Sequence, residues 1–118
     1  MSKNRTKRYL VELDTNERTG EIVREMWFDS ETGRLDRPSG PAITEHFEID
    51  GRLRRGETYY VQGAVMRSED LPSTVIFDVE TGVEVFQEWT SADGSVSRSG
   101  GKPAILTRDL ETGVLIKE

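Results

Sequence analysis

Gly20, Gly51, Gly82 and Gly113 stand 31 residues apart, each from the next, and Pro41, Pro72 and Pro103 keep the same interval. A second glycine series (Gly33, Gly63, Gly94) and an arginine series (Arg37, Arg67, Arg98) hold it to within one residue. Glycine and proline are the residues that decide where a backbone turns, so their return in one register implies that one small unit is used repeatedly. Two half-motifs return with them. Phe77-Asp78-Val79-Glu80-Thr81-Gly82-Val83 echoes the stretch ending in Asp109-Leu110-Glu111-Thr112-Gly113-Val114, and Pro41-Ala42-Ile43-Thr44 echoes Pro103-Ala104-Ile105-Leu106-Thr107.

Each unit reads as strand, turn, strand and second turn. Residues 9–13 are apolar and β-prone, and residues 14–20 close them. The strand that follows, 21–28, carries Ile22, Met26 and Phe28 on one face and Val23 and Trp27 on the other. In the second unit, residues 42–49 turn at Asp50-Gly51 and return along 52–61. Asp-Gly between two β-prone runs is a strong hairpin signal, because a type I′ turn needs positive φ at both central residues. Gln62-Gly63 makes the next turn, and the third unit repeats the plan over 74–79 and 83–90, with a half unit over 104–117. Short strands are expected at 34–37, 64–67 and 95–98. No apolar stripe of 3.6-residue period appears anywhere.

The expected fold is therefore all-β: an antiparallel meander of tandem hairpin repeats of about 31 residues, some eight strands plus short extra ones. Antiparallel sheets of this length twist and tend to curl, so a rolled or barrel-like form is expected. Residues 1–8, rich in lysine and arginine, read as a flexible basic arm, and 9–118 as one repeat domain.

Composition narrows the function. The formal net charge is −6, the opposite of what phosphate neutralisation demands, so no nucleic acid is expected as a partner. No apolar run approaches the roughly 20 residues of a membrane span, and residues 1–8 lack the apolar core of a signal peptide. There is no cysteine, and a cytoplasmic location is the default expectation.

Residues that could carry chemistry are sparse. His46 is the single histidine, set mid-strand in Thr44-Glu45-His46-Phe47-Glu48 with no second ligand type to share a metal, and it reads as a surface side chain. The element Asp-x-Glu-Thr-Gly occurs at Asp29, Asp78 and Asp109. It is too short to supply a calcium loop and reads as a turn in which the aspartate accepts backbone N–H groups and glycine takes the left-handed position. Arg52, Arg54 and Arg55 are placed on a strand, where acidic residues across the sheet can meet them. No nucleophile motif or phosphate loop is present, so neither an enzyme nor a cofactor is expected.

The candidate binding residues are the recurring Arg37, Arg67 and Arg98 with the aromatics Trp27, Tyr59 and Trp89. Each arginine lies four residues after a turn glycine and just before a Pro/Gly loop. A guanidinium there can stack on the aromatic and bond loop carbonyls, which is the structural reading and the preferred one. The alternative is a row of Arg and aromatic side chains forming a contact surface. The run from Trp27-Phe28-Asp29-Ser30-Glu31-Thr32-Gly33 through Arg37-Pro38-Ser39-Gly40-Pro41-Ala42 resembles the tandem Trp/Tyr-x-x-x-Gly-x-x-x-Arg-x-x-Gly-Pro-Ala units of uncharacterised bacterial and phage proteins, MORN-like in style. The Trp89 unit is similar but inserts Lys102, and the middle unit has Glu69-Asp70-Leu71-Pro72-Ser73 instead. The resemblance implies an interaction module, some such proteins being antitoxin-like. The expected function is non-enzymatic protein binding, to another protein or to itself. The alternatives are an immunity or antitoxin-type inhibitor of a basic partner, or a β-barrel holding a small ligand.

Overall fold

The structure, a computed structural model, describes residues 6–68, 70–91, 93–109 and 115–117. Strands β1 (Tyr9–Thr15), β2 (Ile22–Asp29), β3 (Ile43–Ile49) and β4 (Arg52–Thr58) follow one another as neighbours. A small separate hairpin, β5 (Tyr60–Val61) and β6 (Ala64–Val65), interrupts the meander. It resumes with β7 (Thr74–Asp78), β8 (Glu84–Glu88), β9 (Ile105–Arg108) and β10 (Leu115–Lys117). All eight strands of the main sheet pair antiparallel in chain order, apart from that inserted hairpin. One short 3-10 turn, Ser99–Gly101, is the sole helical element among the described residues.

The turn chemistry explains the register. Asp50 and Gly51 have φ of 51° and 77°, the pair of positive values that a two-residue hairpin turn requires. That turn locks β3 to β4 through seven pairs, from Ile43 opposite Thr58 to Ile49 opposite Arg52. Gln62 and Gly63, at 46° and 83°, turn β5 into β6 in the same way. Of the short strands expected, 64–67 yields β6, whereas 34–37 and 95–98 reduce to the single bridges Phe28–Leu35 and Thr90–Val96.

Register and alternation sort the side chains onto two faces. One face carries Trp27, Ala42, Val75, Gln87, Trp89 and Leu106. It holds every buried hydrophobic residue among those described (Ala42, Val75, Trp89 and Leu106), because the long connections fold over its end. The opposite face carries Leu10, Ile22, Met26, Phe28, Ile43, Phe47, Ile76, Phe86 and Ile105. Nothing among the described residues forms a second layer against it.

The sheet does not close, which corrects the rolled or barrel-like expectation. Strands β1 and β10 are its two edges and do not pair. A barrel of this size is filled by side chains pointing inward from all its strands. Here Trp27, Tyr59 and Trp89 are each capped by an arginine from the following loop, so these large side chains are covered without closure. The single-layer form shows in the dimensions, 47 × 47 × 26 Å with a radius of gyration of 16.2 Å, against about 13–14 Å for a compact domain of this length.

Of the arm assigned to 1–8, residues 1–5 lie outside the described residues. Lys7 and Arg8 make contacts with the sheet. The Lys7 ammonium lies 3.0 Å from Asp29 Oδ2, and the Arg8 carbonyl accepts hydrogen bonds from both the N–H and the hydroxyl of Ser30.

Candidate functional site

One three-part contact occurs at each of the arginines singled out from the sequence. The guanidinium carbon of Arg37 lies 4.3 Å from the centre of the Trp27 ring, that of Arg67 lies 3.9 Å from Tyr59, and that of Arg98 lies 3.8 Å from Trp89. Each then donates one N–H to the carbonyl of the proline that ends its loop: Arg37 to Pro41 at 3.2 Å, Arg67 to Pro72 at 3.1 Å and Arg98 to Pro103 at 3.4 Å. A flat guanidinium suits this place because it stacks with its face and bonds with its edge. The six candidate residues are thus brought together in pairs, each pair closing the loop that follows its strand.

The arginines are held rather than presented. Arg98 is 15% exposed and Arg37 26%. Arg37 also reaches Glu25 at 3.5 Å, and the Trp27 indole N–H donates to the same carboxylate. Between these stacked pairs lie open clefts, one of about 370 Å³ lined by Arg67, Asp70, Leu71, Trp89 and Arg98. A second, of about 410 Å³, is lined by Arg37, Tyr59, Tyr60, Met66 and Arg67.

Asp70 gathers the side chains around Trp89. Its carboxylate accepts from Arg98 Nε at 2.9 Å and Nη2 at 3.1 Å and from Lys102 Nζ at 2.9 Å, and its carbonyl accepts the Trp89 indole N–H at 2.9 Å. The Arg98 guanidinium, then the Lys102 ammonium, lower its pKa from 3.8 to about 2. Because the folded value is depressed, the contribution of this charge is complete above about pH 4 and is lost as pH falls through about 2. Asp70→Asn, which tolerates the residue's positive φ of 55°, is expected to remove the acid-dependent change in Trp89 fluorescence over that window while leaving the signal at pH 7 near wild type. An unchanged acid titration would show that Asp70 does not govern these side chains.

Two further aspartates, Asp29 and Asp78, begin the Asp-x-Glu-Thr-Gly turns and are buried. Asp29 accepts from Gln62 Nε2 at 2.7 Å, the Glu31 N–H at 2.8 Å and Lys7, and Gln62 first among them holds its carboxyl far below the usual range. Asp78 takes Arg52, Arg54 and the Thr81 N–H and hydroxyl. The turn reading of the sequence holds at both, with Gly33 at φ 73° and Gly82 at 76°. The third such turn, at Asp109, falls outside the described residues beyond its first position. His46 is exposed, opposite Arg55 in the register. Among the described residues no group of three or more His, Asp or Glu side chains is placed to hold a metal ion, and no helix is long and apolar enough to cross a membrane.

The surface that sequence reasoning did not single out is the uncovered sheet face. Its signal was present in β2, whose apolar residues occupy both strand parities. On this face Leu10 is 54% exposed and Ile22 48%, at its rim, while Met26, Ile43, Phe47, Ile76, Phe86 and Ile105 are half-buried by their neighbours in the sheet. Phe47 leans over Gly56, where an added Cβ would stand 3.2 Å from its ring.

Comparison with protein families, characterised proteins and solved structures finds no match to this chain. In two of the three units the aromatic-to-glycine interval is also wider than in the units they resemble, five intervening residues from Trp27 to Gly33 and four from Trp89 to Gly94, while Tyr59 to Gly63 keeps three.

Proposed function

We propose that this protein is a non-enzymatic protein–protein interaction module built on a tandem repeat, and that its working surface is the uncovered apolar face of the sheet. One observation carries the reading: a single-layer sheet whose strands present apolar side chains on a face that nothing among the described residues covers. Sheets are ordinarily apolar on one face and bury it against a second layer. An exposed apolar surface spanning most of a small protein is the usual mark of a contact surface. The repeat is supported by the recurring Arg–aromatic–proline contact, whose role in this reading is to hold the sheet's other face closed.

Of the alternatives, a small-ligand barrel has no lumen to use, since the sheet is open. An immunity or antitoxin-type inhibitor of a basic partner draws on the net charge of −6, which would speed capture of a cationic protein. The test is affinity capture from a lysate of the source organism at low and high salt, with wild-type and Phe86→Asp baits. A stoichiometric protein, the chain itself included, recovered by the wild type and lost by the variant is the expected result. Equal recovery by both baits, or recovery of nothing, would overturn the choice of surface.

A further inference from the structure

We infer that the occupant of the open face is a second copy of this chain, laid face to face about a two-fold axis that passes near Ile76. The inference rests on reading that face as a contact surface and names what covers it.

The centre of the face is suited to meeting itself. In the strand order the midpoint falls between β4 and β7, where Ile76 stands opposite Gly56 on one side and Phe86 on the other. Gly56 contributes no side chain and the Phe47 ring lies over it, so the middle is apolar. Charges on this face are paired within the copy: Arg24 with Glu45 at 3.3 Å and Asp14 at 4.0 Å, and Arg52 and Arg54 with Asp78, Arg52 reaching Glu80 as well at 3.3 Å. Glu12 stands on the edge strand and Glu88 at a strand end, away from the axis. Two copies therefore meet without placing like charges opposite one another at the centre, despite a net charge of −6 on each.

The size is also right. Eight strands separated by seven spacings of about 4.8 Å, with about five residues of length, project on the order of 600 Å² per copy. Accessible area exceeds projected area, so the pair would bury more than about 1,200 Å² in total, within the range of stable interfaces. The other face is closed at its loop end and elsewhere sets His46, Glu48, Arg55 and Glu57 around Leu53, so it offers no second continuous apolar surface and the assembly stops at two rather than growing into a fibre. Finally, the buried hydrophobic residues among those described are only Ala42, Val75, Trp89 and Leu106. A core that small needs its cover whenever the chain is folded. A second copy is the one cover present wherever the chain itself is made.

The test is sedimentation equilibrium of the full chain over about 1–100 µM, with Ile76→Asp and, on the opposite face, Leu53→Asp, whose parent residue is 44% exposed. Twice the chain mass of 13.4 kDa is expected for the wild type and for Leu53→Asp. Ile76→Asp is expected to weaken association at least about 100-fold, as loss of a central anchor does. Because Ile76→Asp could also unfold the chain, the cysteine-free sequence provides a second arm. Ile76→Cys is expected to form an interchain disulfide on mild oxidation, and Leu53→Cys is not. A 13.4 kDa species throughout the range, or cross-linking through Leu53→Cys alone, overturns the inference. A monomer that still captures a different protein, and loses it with Ile76→Asp, would overturn the self-pairing while leaving the proposed interaction module standing.

Discussion

Asp78→Ala is expected to lower the melting temperature by more than about 10 °C, the largest effect of any carboxylate in the chain. Asp78 is 0% exposed, and four groups converge on it. Arg52 donates from Nε at 3.2 Å and Nη2 at 3.1 Å, Arg54 donates from Nη1, and Thr81 donates its N–H and hydroxyl at 2.9 Å each. Removing the carboxylate strands Arg54, only 11% exposed, as a charge without its partner, and it opens the β7–β8 turn. A buried pair broken from one side costs far more than the pair contributes when intact, because the remaining ion has lost its water as well as its partner. Asp78→Asn keeps the shape and the acceptor for Thr81 but not the charge, so its loss should be intermediate. The pH dependence follows from the same contacts. Arg52, with Thr81 adding to it, holds the Asp78 carboxyl well below its ordinary 3.8, so this contribution is complete above about pH 4 and declines as the solution is acidified further. Thermal unfolding at pH 7 and pH 3 checks both parts. A variant melting within about 2 °C of wild type at pH 7 would show that the arginines find other partners.

Much of this arrangement is legible in the chain, and the boundary of what is legible is physical. Local rules carry well. Asp50-Gly51 demands its turn wherever it stands, and the positions of Gly33, Gly63 and Gly82 follow from the left-handed backbone that only glycine adopts cheaply. The arginine stacking on Trp27, Tyr59 and Trp89 follows in part, because each arginine stands four residues after its turn glycine, although the aromatic precedes it by ten, eight and nine residues. Long-range consequences do not carry. Nothing local to Asp78 says that it will be buried, since that depends on Arg52 and Arg54 arriving from a strand paired two turns earlier. Curling of the sheet was inferred from twist alone, whereas closure depends on whether the inward side chains need one another. Here Trp27 and Trp89 take their cover from Arg37 and Arg98, and the sheet has no reason to meet its own edge. The apolar residues of the open face were visible as letters, yet their meaning depends on what lies above them, which a single chain does not encode locally.

Trp89→Ala should cost about 3–5 kcal/mol, the usual range for deleting a large buried aromatic side chain. Trp89 is 6% exposed and is the largest of the buried hydrophobic residues. It lies between β8 and the loop that returns to β9, with Arg98 stacked on its ring and its indole N–H bonded to the Asp70 carbonyl. Its loss removes the platform of the third unit as well as the volume beneath it. Trp27→Ala should cost less, because Trp27 is only half-buried. Arg98→Ala should cost about 1–2 kcal/mol, the sum expected for a partly desolvated cation–π contact and a carbonyl bond. The two substitutions share a contact, so they should not add, and the double variant should fall short of the sum by about 0.5–2 kcal/mol. Urea unfolding of the four proteins at one fixed concentration measures this coupling, the concentration being fixed because self-association raises apparent stability. Additive losses would mean that Arg98 acts through Asp70 and Lys102 rather than through the ring. Coupling of the expected size would identify the arginine as the cap that lets a single-layer sheet keep one face closed.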